Sequence, residues 1–272
     1  MTAPPALVVR TAGINCDLET EQALRTAGFA PERVHANRLA RERDPFRRYR
    51  LVVFPGGFSY GDDVASGKVA AVEVAALFGG ALAGYLRRGG LLLGICNGFQ
   101  TLVKMGLLPG PGAGAPRFTL AHNGSRKFEA RWVRLRAPER ARSVFVEPGE
   151  TLELPVAHGE GRLAADAPDG ALWLEREGRV GYRYAPRGQA PGPEGRPVYP
   201  DDPNGSLGGV AGLSDATGRV FGLMPHPERF LRGWNHPRWT RAADPAREAE
   251  REGDGLRLFR RAFAAAGQGG PA

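Results

Sequence analysis

Three short apolar runs stand out along the first third of the chain. They are "ALVVR" (6–10), "RLVVF" (50–54) and "LLLGI" (91–95), and each is followed by glycine, proline or polar residues. Runs of four or five apolar residues rich in valine, isoleucine and leucine are typical of strands buried on both faces. The pattern therefore predicts three core strands.

Helical patterns alternate with these strands. An amphipathic stretch begins at about Leu18 and ends at Gly28, a residue type that commonly terminates helices. Residues 68–90 also predict a helix, which the Gly79-Gly80 pair could break, and residues 97–106 predict another. Strands that alternate with helices indicate an α/β fold with a parallel sheet and right-handed crossovers.

The pattern changes after residue 115. Short, often alternating segments separated by turns predict added antiparallel or mixed strands that extend the same sheet. Residues 185–206, rich in proline and glycine, predict a surface loop, and residues 248–267 predict a closing helix with Leu256, Phe259 and Phe263 on one face. The predicted extra strands are "RFTLAHN", "KFEARWVRLRA", "TLELPVAH", "ALWLER", "RVGYRYA" and "GGVAGLSD", before a further strand in 219–226.

Composition adds little to the fold prediction but indicates where in the cell the protein acts. Apolar residues make up 42% of the 272 residues and charged residues 24%, which is ordinary for a globular protein. We read no signal peptide at the N-terminus and no apolar run near the roughly 20 residues that span a bilayer. The two cysteines, Cys16 and Cys96, do not make a disulfide framework. These features predict a cytoplasmic protein without a membrane partner.

The net charge of +8 raises the question of nucleic-acid binding. Lysine occurs only at positions 68, 104 and 127, so the positive charge is almost all arginine. The arginines are scattered and mostly interleaved with acidic residues, whereas nucleic-acid binding requires a dense basic patch. We therefore predict no nucleic-acid partner.

The candidate chemistry centres on "GICNGFQ" (94–100), where a predicted strand becomes a helix. Gly-x-Cys-x-Gly at such a junction has the pattern of a nucleophile elbow, with glycines leaving room for a sharp turn. Cys96 would stand at the carboxyl end of the sheet, and the helix N-terminus would favour its thiolate. A buried, inert cysteine is the alternative that this motif alone leaves open.

A base for this nucleophile is offered by "MPHPERF" (224–230). Pro227 disfavours a helical conformation at His226, and an extended segment would put His226 and Glu228 on the same side. The carboxylate could then orient the imidazole. A solvated ion pair at the end of a strand is the simpler alternative.

The stretch "FPGGFSYGDD" (54–63) directly follows the second strand. Glycines without a Cβ allow a backbone N–H to point into a site, so the N–H groups of Gly57 and Asn97 could form an oxyanion hole. A plain structural turn would explain this stretch taken singly. Three such features in one α/β chain favour catalysis.

Together these residues resemble the class I glutamine amidotransferases. The likeness is closest to the glutaminase subunits of phosphoribosylformylglycinamidine synthase and runs from about residue 6 to about residue 230. The blocks that carry it are "GINCDLETEQAL", "FPGGFSYGDDVASGKVAA", "GICNGFQTLVKMGLLPG", "FEARWVRL", "VAHGEGR" and "DPNGSLGGVAGLSDATGRVFGLMPHPERF". The resemblance implies one amidotransferase domain over residues 1–272, with a core of about 6–265. Its implied fold is a mostly parallel sheet between helices, a flavodoxin-like three-layer sandwich with extra antiparallel strands.

The resemblance also implies roles for individual residues. The catalytic residues would be Cys96, His226 and Glu228, and the backbones of Gly57 and Asn97 would donate to the oxyanion. We interpret Cys16 as a packed thiol, because nothing in its sequence surroundings offers a base. The residues that would bind glutamine or shape its pocket are Gly56, Phe58, Gln100, His158, Gly159 and Glu160, although a structural hydrogen bond explains His158 equally well.

The implied reaction is hydrolysis of L-glutamine to glutamate and ammonia in de novo purine biosynthesis. The sequence carries no phosphate-binding Gly-x-x-x-x-Gly-Lys-Ser/Thr loop, and we expect no metal or cofactor in this chain. ATP and Mg²⁺ would be used by a separate synthetase subunit (PurL), accompanied by a small subunit (PurS). That partner would convert formylglycinamide ribonucleotide to formylglycinamidine ribonucleotide.

Two alternatives, one of them from a different class of protein, stay open at this point. The chain could be an amidotransferase subunit that serves another acceptor, against which "GGFSYGD" and "AHGEGR" argue. It could also be a non-catalytic binding module on the same fold, although Cys96, His226 and Glu228 are all present.

Overall fold

The computed structural model describes residues 2–112, 117–187 and 197–268. Within them, nine strands form one sheet in the order β2-β1-β3-β4-β11-β10-β9-β6-β7, and β5 and β8 form a separate two-stranded sheet. The strands are β1 (Pro5–Arg10), β2 (Ala30–His35), β3 (Leu51–Phe54), β4 (Leu91–Ile95), β5 (Phe118–Ala121), β6 (Glu129–Arg136), β7 (Thr151–His158), β8 (Arg162–Ala165), β9 (Val180–Ala185), β10 (Val210–Ser214) and β11 (Val220–Leu223).

Seven α-helices accompany the sheets in the described part of the chain. They are α1 (Asp17–Ala27), α2 (Ala36–Leu39), α3 (Lys68–Arg87), α4 (Asn97–Lys104), α5 (Gly170–Arg176), α6 (Pro245–Glu250) and α7 (Asp254–Gln268). Gly28 ends α1 in the left-handed conformation, as the sequence predicts. The closing helical stretch is divided into α6 and α7, and Leu256 and Phe259 of α7 are buried in the core.

One half of the large sheet is parallel. Strands β2, β1, β3, β4 and β11 run in the same direction, and β3, β4 and β11 are buried along their whole length. The carboxyl ends of parallel strands meet at one edge of a sheet, where α/β proteins place their sites. The segments after β3, β4 and β11 are those that the sequence singled out for chemistry.

The other half of the sheet is antiparallel, through β10, β9, β6 and β7. Two expectations about the middle of the chain are wrong. The segment "RFTLAHN" forms β5, which pairs with β8 and does not extend the large sheet. The segment "ALWLER" forms α5, because burying the neighbouring Trp173 and Leu174 suits one face of a short helix and not the alternation of a strand.

Helix α3 is continuous for 20 residues, so the expected break at Gly79-Gly80 is wrong. The helix is also long and apolar enough to cross a membrane, with a mean hydropathy of 1.8, contrary to our expectation that no run comes near that length. Its inner face packs Val74, Phe78 and Leu82 into the core of the protein. Length and hydropathy alone are weak evidence for a membrane span, since core helices of soluble proteins pass the same test.

The predicted loop at 185–206 lies partly outside the described residues. Residues 197–206 are described and consist of turns and bends. Asp202 shapes the end of this stretch, because its carboxylate accepts from the backbone N–H groups of Asn204 and Gly205. The end of the loop is therefore fixed by hydrogen bonds next to the buried side chain of Asn204.

Candidate active site

Cys96 occupies the turn between β4 and α4. Its backbone is strained, with φ of 49° and ψ of −102°, a region that side-chain-bearing residues rarely adopt. Gly98 allows this turn, since a Cβ there would lie 1.9 Å from the carbonyl oxygen of Phe54. The strand and the helix therefore approach closely enough to hold the cysteine at the end of the sheet.

His226 and Glu228 follow β11 and form a buried pair. His226 Nδ1 lies 2.6 Å from Glu228 Oε1, and both residues are 2% exposed. The two side chains meet through a single 3-10 turn that begins at Pro227, and not through the extended segment that the sequence suggested. The backbone N–H of His226 donates to the carbonyl of Pro155 in β7 at 2.8 Å, which fixes the start of this turn.

The surroundings of His226 favour its protonated form. Burial opposes a charge on the ring, but Glu228, Cys96 and Cys16 outweigh burial and hold the pKa of His226 well above its usual 6.5. Nε2, on the other side of the ring from Glu228, is buried and has no hydrogen-bond partner among the described residues. The ring thus has one anchored nitrogen and one open nitrogen, with the Cys96 sulfur near enough to influence its charge.

The Cys96 thiol is itself nearly buried, with 5% of the residue exposed. Its Sγ lies 3.7 Å from the carbonyl oxygen of Ala157 in β7. Strand β7 therefore contacts both the sulfur, through Ala157, and the histidine backbone, through Pro155. The edge strand of the sheet completes the wall of the site.

Cys16 lies in the same cluster, and the interpretation that no base is near it is wrong. Its Sγ, a ring nitrogen of His226 and a carboxylate oxygen of Glu228 all lie within 4.8 Å of one another. These atoms are donors that a metal ion could use, but Arg229 Nη2 donates to Cys16 Sγ at 3.1 Å. A guanidinium directed at the sulfur places a positive charge where a cation would bind, so the cluster is a poor metal site.

Gly56 makes room for this cluster. A Cβ at position 56 would lie 2.7 Å from His226 Cε1 and 3.3 Å from Cys16 Sγ. Gly56 therefore lies directly against the ring of His226, and a side chain at position 56 would displace that ring.

The two predicted oxyanion donors lie on segments that are tied together. Gly57 has a φ of 147° and bridges to Ile14, and Asn97 is the first residue of α4, where a backbone N–H has no carbonyl one turn earlier. The Asn97 side chain links the segments, because its Oδ1 accepts from Ser59 N at 3.4 Å and its Nδ2 donates to Asp62 Oδ1 at 2.9 Å. Burial raises the pKa of Asp62, although the hydrogen bond from Asn97 acts in the opposite direction and lowers it.

The residues predicted to shape the glutamine pocket surround the elbow. Gln100 Oε1 accepts from Asn97 Nδ2, and its Nε2 donates to the backbone carbonyl of Glu160 at 2.5 Å. The Glu160 carboxylate accepts from the backbone N–H of Ser66 at 3.1 Å. The structure thus connects Gln100 and Glu160 directly to the loop after β3 and to the elbow.

Phe58 and Gly159 lie further out. Phe58 is 44% exposed and stacks on exposed Phe128, with ring centroids 6.2 Å apart. Phe128 also comes within 3.9 Å of where a Cβ of Gly159 would be. The pair therefore forms an aromatic surface beside the 158–161 turn.

His158 ends β7 and is held by Asn123. His158 Nδ1 lies 3.1 Å from Asn123 Oδ1, which also accepts from Gly161 N at 3.0 Å. Burial, together with the nearby positive charge of His226, lowers the pKa of His158 to about 3. Asn204 holds the same turn from the other side, because its Nδ2 donates to Gly161 O at 2.9 Å and to Tyr184 Oη at 3.0 Å.

Sequence reasoning missed several members of this site. Arg229 lies directly after the predicted pair, but a charged residue beside a motif gives no signal by itself. Asn123 and Asn204 each precede a glycine, and Asn-Gly reads as a turn, so the pattern gives no reason to expect a buried side chain. The shared "NGS" at 123–125 and 204–206 was the signal that could have drawn attention to them.

Comparison with known proteins identifies related chains along almost the whole sequence. The family model of the CobB/CobQ-like glutamine amidotransferase domain matches residues 3–264. A curated relative from Dehalococcoides mccartyi, phosphoribosylformylglycinamidine synthase subunit PurQ, is 42% identical over 259 residues, covering 95% of this chain and 96% of the relative. The subunit of the same name from Methanococcus maripaludis is 37% identical over 241 residues, covering 87% of this chain and 86% of the relative.

A solved structure shows the same architecture. A chain in the structure of PurLQS from Thermotoga maritima aligns with a TM-score of 0.70 at 33% identity, covering 96% of this chain and 98% of the other. The likeness confirms the predicted α/β fold, with its partly parallel sheet and flanking helices.

Proposed function

This chain belongs to the family of CobB/CobQ-like glutamine amidotransferase domains, and from this premise we propose how its residues release ammonia from glutamine. The chain is a glutamine-hydrolysing enzyme, the glutaminase subunit of phosphoribosylformylglycinamidine synthase in purine biosynthesis. The observation that supports the residue assignment best is the buried His226–Glu228 pair beside the strained cysteine of the elbow.

In the first half of the reaction, the Cys96 thiolate attacks the side-chain amide carbon of L-glutamine. The oxyanion of the tetrahedral intermediate accepts hydrogen bonds from the N–H groups of Gly57 and Asn97. His226, held by Glu228 and favoured in its protonated form, gives its Nε2 proton to the amide nitrogen. The C–N bond breaks, ammonia leaves and a glutamyl thioester remains on Cys96.

In the second half, water replaces ammonia. His226, now neutral, accepts a proton from water as the water oxygen attacks the thioester carbon. A second tetrahedral intermediate collapses, the C–S bond breaks and glutamate leaves. The imidazolium and the thiolate are restored together, which the charge of Glu228 favours.

Glutamine binding in this proposal uses the segments around the elbow. Gln100 of α4 is hydrogen-bonded to the turn that carries Gly159 and Glu160, beside the elbow of Cys96, and the Phe58–Phe128 pair borders this turn. Gly56 acts indirectly, by leaving room for His226.

The ammonia is passed to a partner. A relative of this chain was solved as part of PurLQS, which supports a complex with a synthetase subunit, PurL, and a small subunit, PurS. In that complex PurL would use ATP and Mg²⁺ to aminate formylglycinamide ribonucleotide, and this chain would supply nitrogen without a cofactor of its own. We propose a cytoplasmic location and a single amidotransferase domain over residues 1–272, which the sheet running from β1 to β11 supports.

The test compares the two cysteines in the reconstituted complex. Cys96→Ala removes the covalent route, so we expect glutamate formation from glutamine to fall by about a thousandfold or more. Synthesis with ammonium chloride as the nitrogen source should continue, because the synthetase is untouched. Labelling with a glutamine analogue that carries an electrophile at the amide carbon should modify wild-type Cys96, as read by peptide mass spectrometry.

The matched control is Cys16→Ala, which removes the other thiol of the same cluster. It should keep the analogue on Cys96 and retain glutamine-dependent synthesis above the Cys96→Ala level. Glutamate formation that persists in Cys96→Ala, or labelling on Cys16 in place of Cys96, would refute the assignment.

A further inference from the structure

His158 carries a buried polar atom that the proposed mechanism does not use. The residue is 2% exposed, and its Nε2 has no hydrogen-bond partner within the described ranges. A buried polar atom without a hydrogen-bond partner lowers the stability of the folded state. It therefore indicates either a destabilisation that the fold tolerates or a ligand that binds there.

The hydrogen bonds around Asn123 determine the state of this ring. Asn123 Nδ2 lies 2.9 Å from the carbonyl oxygen of Lys127 and 2.8 Å from that of His158. Both carbonyls can only accept, so the donating NH₂ group must face them and Oδ1 must face the other way. Oδ1 in turn accepts from Gly161 N and so can meet His158 Nδ1 only if that nitrogen carries a hydrogen.

The neutral ring of His158 is therefore protonated on Nδ1, and Nε2 presents a bare lone pair. Burial, reinforced by His226, keeps the pKa of His158 at about 3, so the ring remains neutral at working pH. Nε2 can accept a hydrogen bond, but the ring has no ionisable proton to give to a base such as ammonia. Its chemistry is that of a permanent acceptor.

The position of His158 connects this acceptor to the reaction. It follows Ala157, whose carbonyl contacts Cys96 Sγ, and it lies close enough to His226 for the two charged forms to repel. The turn that carries it is clamped from both sides by Asn123 and Asn204. The ring packs directly against Gly161, where a Cβ would lie 2.4 Å from Cε1.

We propose that His158 Nε2 accepts a hydrogen bond from an N–H of the nitrogen that leaves glutamine, and so retains ammonia in the complex after the C–N bond breaks. No bond is made or broken at His158: the proton that completes ammonia comes from His226. A hydrogen bond through one N–H leaves the nitrogen lone pair free, which is the state that the amination step consumes. The proposal rests on the proposed function.

The experiment uses two substitutions, each of which can reproduce the hydrogen bond of one ring nitrogen. His158→Asn can keep the hydrogen bond at the Nδ1 position but removes the acceptor at Nε2, whereas His158→Gln places an amide oxygen near the Nε2 position. In the reconstituted complex, glutamate and aminated product are measured in the same reaction. We expect His158→Asn to release several-fold more glutamate per product than wild type, and His158→Gln to restore the ratio in part.

Synthesis from ammonium chloride is measured in parallel, because it reports on the synthetase subunit separately from glutamine hydrolysis. An unchanged glutamate-to-product ratio in His158→Asn would overturn the proposal, as would a higher KM for glutamine with intact coupling, which would make His158 a glutamine ligand. Failure of the proposed function looks different, because wild type would then form no glutamine-dependent product at all.

The tautomer is tested without any substitution. A nitrogen-15 histidine correlation spectrum of the wild-type chain should show His158 neutral with hydrogen on Nδ1. A hydrogen on Nε2 would overturn the proposal even if the variants failed to fold.

Discussion

Two buried histidines stand near Cys96, and the fold gives them different protonation states: His226 is held as the cation and His158 as the neutral ring. Glu228 and the two sulfurs outweigh burial at His226 and raise its pKa, whereas burial and His226 lower the pKa of His158. An active site that needs both a proton donor and a neutral acceptor obtains them from the same residue type by changing its neighbours.

This difference predicts a pH effect on stability. In the folded chain His158 has a pKa of about 3, and in the unfolded chain about 6.5. Between these values the unfolded state binds a proton that the folded state does not, so stability falls as the pH is lowered. Between pH 7 and pH 5 the wild type should lose about 2 kcal/mol more unfolding free energy than His158→Asn.

Urea unfolding of both proteins at the two pH values measures this difference. His226 has a raised pKa, so its contribution is lost as the pH rises through its folded value, and it is present in both proteins. Equal losses of unfolding free energy in wild type and variant would show that His158 takes up a proton as readily in the folded chain as in the unfolded chain.

At the level of residues, the sequence predicted contacts between residues of one motif and did not predict contacts between distant segments. The pairing of His226 with Glu228 followed from their spacing of two residues, although a 3-10 turn and not an extended segment brings them together. The neighbourhood of Cys16 did not follow, because the turn after β11 comes from more than 200 residues away. The role of Asn123 was hidden because most of its amide hydrogen bonds are to residues 158–161, more than 30 residues further along the sequence.

At the level of elements, glycine has opposite meanings at the elbow and in α3. A Cβ at Gly98 would meet the backbone of Phe54, whereas a Cβ at Gly80 would meet nothing within 4 Å. The first glycine is required by the close approach of strand and helix. The second only weakens its helix, because glycine has more freedom to lose than alanine.

Alanine at these two positions should therefore act in opposite directions. Gly98→Ala should lower the free energy of unfolding by about 3 kcal/mol, since backbone cannot move aside as a flexible side chain can. Gly80→Ala should raise it by about 1 kcal/mol. Chemical denaturation of the two variants measures both values, and a stabilised Gly98→Ala would contradict the close packing of the elbow.

The elements that sequence reasoning predicted are those with uniform burial. β3 and β4 are buried at each position, so a plain apolar run reveals them. β2, "APERVH", was not predicted, because most of its residues are partly or fully exposed and form no apolar run. Its strand conformation is stabilised by hydrogen bonding to β1 and not by the preferences of its own residues. The order of β9, β6 and β7 in the sheet could not be predicted, since antiparallel pairing between distant segments depends on packing that no local pattern records.

At the level of the whole molecule, α7 returns the end of the chain to the sheet. Arg261 of α7 meets Glu150, just before β7, in a two-pronged ion pair with distances of 2.8 and 2.9 Å. Tyr182 of β9 donates to the same carboxylate at 2.6 Å. The carboxylate is nearly buried and so depends on both partners.

Neighbouring arginines of α7 provide a matched comparison. Arg261→Ala should lower the free energy of unfolding by about 2–3 kcal/mol, because it leaves the buried carboxylate of Glu150 without its cation. Arg260→Ala, which breaks an exposed pair with Glu252, should change it by about 0.5 kcal/mol or less. Thermal or urea unfolding distinguishes the two, and equal effects would show that the Glu150 pair contributes no more than a surface contact.

The asparagine clamp around the 158–161 turn also bears on how the protein ages. Asn123 and Asn204 each precede glycine, the sequence most prone to deamidation, in which the glycine nitrogen attacks the asparagine side chain. Here Gly124 N donates to Asn204 O at 2.9 Å, Gly205 N donates to Asp202 Oδ1 at 2.8 Å, and both asparagine side chains are buried. The folded chain thus restrains both attacking nitrogens, and chemical decay at these two sites is confined to molecules that have locally opened.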